Sequence, residues 1–168
     1  MRRTLAVGWV LIGMFAGCSD DGVQTADTSM TQVAVQSWFA FRPVAATSQP
    51  PCATETTPAS DSYACYELGE QLVGPSGIVS ASAASQPAQT AWTVALTLSP
   101  DALRAFNDGA AQCFQRATEC PSGQMAIVID GVVVSAPVLQ APRFEGDAFQ
   151  VSGDFTEAEA RDLVSRFE

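Results

Sequence analysis

A chain of 168 residues with 47% apolar and 15% charged residues has the balance of a folded protein with room for one real core. It holds 18 Asp and Glu, eight Arg, no Lys and no His, for a net charge of −10. This inventory excludes nucleic acid as a partner and a polybasic grip on lipid. It also excludes Ser-His-Asp and Cys-His nucleophiles, His-rich zinc sites, Schiff bases and phosphate-loop lysines.

The chain starts with Arg2 and Arg3 and an apolar stretch over residues 5–15. That is too short for a bilayer core of ~30 Å, which takes ~20 residues, so it reads as a signal peptide. It ends in Phe15-Ala16-Gly17-Cys18, which resembles a lipobox, with Phe15 where Leu is usual. The expectation is a signal peptide over residues 1–17 and a lipidated Cys18 opening a polar tether over 18–31. The alternative is an ordinary secretory signal with an incidental Cys. Acyl chains contribute ~0.8 kcal/mol per buried CH₂, so lipid on Cys18 would hold the chain to a membrane unaided. Without the first 17 residues, six Arg face 18 acids, a charge of about −12.

Cys52, Cys65, Cys113 and Cys120 make an even set in an exported chain. Three pairings are open, and the local one, Cys52–Cys65 with Cys113–Cys120, is favoured because each pair brackets a loop. Closing such a loop of about a dozen residues is worth ~3 kcal/mol. A four-Cys metal site is disfavoured, since no two of them have C-x-x-C spacing.

Residues 31–44 alternate through Val33, Val35, Phe39 and Phe41, predicting a half-buried strand that Pro43 ends. Residues 45–64, rich in Ala, Thr, Ser and Pro, predict an excursion closed by the first disulfide. Residues 66–73 predict a short helix or strand, 78–83 a weak strand and 85–90 a turn. Residues 92–98 alternate cleanly as a strand. Ser99-Pro100-Asp101 then opens a helix with an N-cap, a proline at the first helical position and an early acid. Leu103, Phe106, Ala110 and Phe114 mark its apolar face. Residues 125–129 form a continuous apolar run, predicting a central strand covered on both faces. Asp130-Gly131 is a type I′ hairpin signal leading into a returning strand over 132–134, broken by Pro137. A strand over 149–152 precedes a helix opened by the capping box Thr156–Glu159. The fold expected is α+β, an antiparallel or mixed sheet with helices packed on one face. Residues 32–91 supply a strand and the disulfide-closed loop, and 92–168 the regular α+β subdomain.

Two ordered strings, GQMAIVIDGVVVSAPVLQ at 123–140 and QVSGDFTEAEARDL at 150–163, resemble the periplasmic head of SecD, a subunit of the bacterial protein-export machinery. The strand and helix over 94–106 are similar to the elements that precede this segment in the family. Matches at 41–44 and 72–75 are weaker. The motif residues are Asp130, Gly131, Ser135, Ala136, Pro137, Gly153, Phe155, Thr156 and Glu159. The resemblance implies a head that engages exported polypeptides. No run of ~20 apolar residues follows Cys18, so the lipid is expected to replace the family's membrane helices as the anchor.

Seven of the nine motif residues also have a plain structural role: Asp130-Gly131 as a turn, Ser135-Ala136-Pro137 as a strand end, Thr156 and Glu159 as a cap. Asp101, Asp108, Glu145, Asp147, Asp154, Glu157 and Glu159 contain no evident catalytic pair, and no calcium-loop spacing is present. The function expected is a non-enzymatic, membrane-tethered module without cofactor or metal, binding exported or envelope proteins. A free sheet edge could take a peptide as an added strand. Trp38, Phe39 and Trp92 are candidate pocket residues, with core packing as their default. An accessory envelope lipoprotein without clients is the alternative, and a carboxylate hydrolase a remote one.

Overall fold

The computed structural model describes residues 37–85 and 91–168, except the side chain of Asp154. Cys18, the tether and the alternation at Val33 and Val35 lie outside the described residues. In chain order the elements are β1 (Phe39–Ser48), β2 (Thr57–Pro58), β3 (Cys65–Leu68), a 3₁₀ turn (Pro75–Gly77), β4 (Ile78–Ser85) and β5 (Trp92–Leu98). Then follow α1 (Pro100–Phe114), β6 (Met125–Ile129), β7 (Val132–Ser135), β8 (Ala148–Phe155) and α2 (Glu157–Ser165). The fold is α+β. Its strands divide between two sheets, ordered β2-β3-β1-β6-β7 and β4-β5-β8, and every ladder is antiparallel.

Local signals explain most elements. Ser99 Oγ accepts the Ala102 N–H at 3.2 Å, and Pro100 occupies the first turn of α1, where its missing N–H costs nothing. Asp130 and Gly131 both have positive φ, 50° and 78°, and Ile129 pairs with Val132 across them, which is the type I′ geometry. At α2, Thr156 and Glu159 exchange side-chain and backbone bonds in a full capping box.

β1 departs from expectation at Pro43. The strand continues through it to Ser48, because on the β1–β6 ladder Val44 N–H bonds to Gln124 O at 3.0 Å. Antiparallel pairs alternate, so Pro43, one residue away, faces a position that needs no N–H from it. Residues 66–73 resolve as the short strand β3 and a loop. The inward face of α1 also differs: Ala102, Phe106, Ala110 and Cys113 are buried, whereas Phe114 is exposed. Cys113 continues the stripe of Ala102, Phe106 and Ala110 at helical spacing and is bonded to Cys120, while the next residue falls outward.

The main core lies between the two sheets. Phe39, Phe41, Met125 and Ile127 from one meet Val94, Leu96, Leu98 and Val151 from the other, with α1 and α2 closing the space. Ala126 and Val128 fall in a smaller cluster on the opposite face of β6 with Ala40, Val44 and Val133. β6 is therefore apolar at every position because it is buried on both sides. Disulfides join Cys52 to Cys65 and Cys113 to Cys120, with Cα–Cα distances of 5.4 and 4.7 Å.

The second bridge closes a loop of seven residues' separation behind α1. Replacing both cysteines with alanine is expected to lower stability by about 2.5 kcal/mol in the chain-entropy model. Thermal unfolding should show a Tm drop of roughly 10 °C, and reductant, which also opens Cys52–Cys65, should lower Tm further in the variant and bring the unmodified chain and the variant to about the same Tm.

Candidate functional site

Between the two sheets the core opens to the surface as an apolar crevice of about 120 Å³. Its walls are built by distant parts of the chain. Phe41 comes from β1, Phe106 from α1, Met125 and Ile127 from β6, and Phe149 and Val151 from β8. The remaining wall is the segment after β7, contributing Pro137, Leu139 and Phe144. No charged side chain lines it, and Gln150 is its one polar contributor.

The wall after β7 has no regular structure of its own, so its position depends on tertiary hydrogen bonds. Met125 N–H donates to Pro137 O at 3.0 Å, and Leu139 N–H to Gly123 O at 2.9 Å. Gln124 Nε2 donates to Ala136 O at 2.8 Å. Farther along, the carboxamide of buried Asn107 grips the backbone of Phe144, donating to its O at 3.1 Å and accepting from its N–H at 2.9 Å. Asn107 thus acts as a two-point strand partner projecting from a helix. Nothing in the spacing of α1 marks it beforehand. A polar residue on the inward face is the one signal available.

The aromatic rings form one network. Phe106 lies 5.2 Å from Phe41, 4.6 Å from Phe149 and 5.5 Å from Phe144, centroid to centroid, in edge-to-face arrangements. Trp38, Phe39 and Trp92 line none of this crevice. Phe39 is fully buried in the core, and Trp92 lies under the Arg161 guanidinium at 5.6 Å. Trp38 meets both the Arg166 guanidinium, 4.0 Å from its ring centroid, and the Phe167 ring, tilted against it at 4.7 Å.

The sequence-predicted motif residues distribute around this frame. Pro137 stands in the crevice wall, next to Ala136, and Ser135 pairs with Ile127. A Cβ on Gly153 would sit 3.0 Å from the Phe155 ring, so glycine lets that ring fold back along the strand. Asp130, Phe155 and Glu159 meet in a separate depression with Arg166. There Arg166 donates to both Asp130 oxygens, at 2.8 and 2.6 Å, a bidentate pair bridging the β6–β7 turn and the end of α2. These bonds hold the Asp130 carboxyl below the usual carboxylate range. Glu159 is lowered too, by the Thr156 bonds of the capping box. Both shifts run opposite to what a general acid requires. Among the described residues, no three metal-ligating side chains cluster.

A family model described as the P1 head subdomain of SecDF matches residues 54–167. The chain belongs to the SecDF P1 head family. Over 60 residues it is 48% identical to protein translocase subunit SecD of Syntrophobacter fumaroxidans, covering 35% of this chain and 11% of that one. Two solved structures share its fold. One is SecDF in a super-membrane-facing form, with TM-score 0.56 and 22% identity, covering 77% of this chain and 18% of that one. The other is SecDF described as a membrane component that enhances protein export, with TM-score 0.55 and 19% identity, covering 77% and 60%. This SecDF-type head thus spans a small part of the SecD chain it matches. Among the described residues, no helix is long and apolar enough to cross a membrane.

The Asp130–Arg166 pair is partly exposed, so its contribution is screened by solvent. Its sign is nonetheless fixed. With a folded pKa below the unfolded value of about 3.9, the pair is fully stabilising above that pH and lost as pH falls through the lowered folded value. Asp130→Asn should therefore flatten the fall of Tm on acidification from about pH 5 to pH 2, measured by circular dichroism melts.

Proposed function

We propose that this SecDF-type head is a non-enzymatic module of the cell envelope, tethered through lipid on Cys18, that holds segments of exported or envelope polypeptides. The observation carrying the reading is the crevice: an uncharged, aromatic-lined opening of about 120 Å³, sized for one or two apolar side chains rather than for a whole folded partner. Apolar side chains are what an unfolded polypeptide offers and a folded one hides. Family membership points the same way, since a relative of this fold is described as enhancing protein export.

Charge restricts the partner further. Arg104, Arg143, Arg161 and Arg166 pair with Asp101, Glu145, Glu157 and Asp130. Arg42 donates to the Gly69 and Leu68 carbonyls, and Arg116 to those of Pro121 and Ser122. Every arginine from Arg42 onward is thus engaged within the fold, and the excess carboxylates face solvent. Such a surface repels anionic lipid headgroups, so attachment falls to the acylated Cys18.

Two measurements test the reading. A photo-crosslinking side chain at Leu139, in cells, should capture exported or envelope polypeptides, while the same probe at exposed Tyr63 should not. The captured fraction should fall at least several-fold in a Phe144→Asp background, and equal capture at both positions would overturn the crevice assignment. Separately, Cys18→Ala should move the protein from the membrane to the soluble fraction with an unchanged Tm. Retention in the membrane fraction would refute the lipid tether.

A further inference from the structure

The two sheets end differently at their edges. β2, at one edge of the five-stranded sheet, has two residues, and the outer side of β7 is met by Ser60, whose N–H donates to Val133 O at 2.9 Å. In the three-stranded sheet, β8 runs close to β7 and β4 forms the other edge. β4 is eight residues long, Ile78–Ser85, and contains no charged residue and no proline. Native edge strands are ordinarily protected by charge, proline, shortness or a bulge. β4 has only the irregularity between Ile78 and Ser80, at its start.

The register decides which main-chain groups of β4 are free. Leu98 N–H donates to Asp147 O at 2.8 Å, which makes that a hydrogen-bonded pair of the β5–β8 ladder. Pairs alternate along antiparallel strands, so Val94 and Leu96 also point their N–H and C=O groups at β8. Thr93, Ala95 and Thr97 then point theirs at β4, where they face Ala84, Ser82 and Ser80. Ala81 and Ala83 are left with an N–H and a C=O each directed off the sheet, and β4 has no second neighbour among the described strands.

We infer that β4 is a docking edge that takes an extended, unfolded polypeptide segment as a fourth strand, bonded through the main chain of Ala81 and Ala83. The inference rests on the polypeptide-holding reading above and supplies it with a second, sequence-independent contact. Ser80, Ser82 and Ala84 are exposed and small, so the edge offers no pocket and selects an extended backbone rather than a sequence. Charge argues against a second copy as the occupant. α2 packs against β4 and exposes Glu157, Glu159 and Asp162 against the single Arg161, which is paired with Glu157, so two-fold pairing of β4 edges would bring together two helices that each keep a net negative charge.

The test is amide hydrogen exchange by NMR on the full chain in micelles, titrated with a neutral Thr- and Val-rich peptide of about ten residues, the upper end of ordinary strand lengths. Exchange at Ala81 and Ala83 should slow by at least about tenfold at saturation, while Ser82 and Ala84, already in the ladder, stay unchanged. Ala83→Pro removes an outward N–H without touching the ladder to β5 and should weaken affinity about tenfold. Where that variant is itself unstable, the exchange pattern of the unmodified chain decides alone. Peptide binding with protection confined to the neighbourhood of Leu139 and Phe144 overturns the edge and leaves the crevice standing. A peptide that perturbs neither region defeats both. Protection of Ala81 and Ala83 that grows with protein concentration in the absence of peptide assigns the edge to a second copy and overturns the inference.

Discussion

Phe106 is the side chain on which the arrangement of the whole unit turns. It projects from α1 into the gap between two sheets that share no ladder, and its ring meets Phe41 of one and Phe149 of the other. A third contact, to Phe144, fixes the irregular segment that walls the crevice. Aromatic pairs of this kind contribute about 0.5–1.5 kcal/mol each beyond the area they bury. Because they converge on one ring, the sheets, the helix and the wall are energetically coupled. The same convergence leaves an opening: large flat rings meeting edge to face cannot fill the space between sheets at every point. The crevice is thus a consequence of how the core is packed.

The crevice and the surface around it divide two physical tasks. Inside, contact is apolar and orientation-tolerant. Outside, the arginines are spent on internal partners and the carboxylates are left to water, which keeps a highly acidic unit soluble and away from anionic surfaces. Under the proposed reading, this allocation would leave the apolar crevice as the contact for an exported segment. The SecDF head family supplies the fold, and the crevice and edge supply the contacts through which such a unit could act.

What the sequence made legible was whatever depended on neighbours in the chain. The Ser99–Pro100 start of α1, the Asp130-Gly131 turn and the Thr156–Glu159 box each complete their geometry within four residues, so composition and spacing suffice to read them. β6 was legible for a related reason, since burial on both faces writes itself as an unbroken apolar run. The long-range choices were not legible. Pro43 is harmless in β1 only because its position on the β6 ladder needs no N–H, and that follows from a register between residues more than 80 apart. Phe114 satisfied the helical period as well as Cys113 did, and it is Cys113, bonded to Cys120, that lies inward. Phe41, Phe106, Phe144 and Phe149 span most of the described chain, with no motif linking them. Division into two sheets likewise depends on partner choice, which alternation within a strand does not encode.

The contact of Trp38 with Arg166 and Phe167 has a mechanical meaning. It brings Trp38 and Phe167, each one residue from an end of the described unit, to one place, with Asp130 bonded to Arg166. A pull on both ends would load this clasp first, through one tilted ring contact, one cation–π contact and one ion pair. Tension delivered through the chain would loosen α2 while the Phe106 packing stayed shut, so the unit could yield at its rim without losing its core.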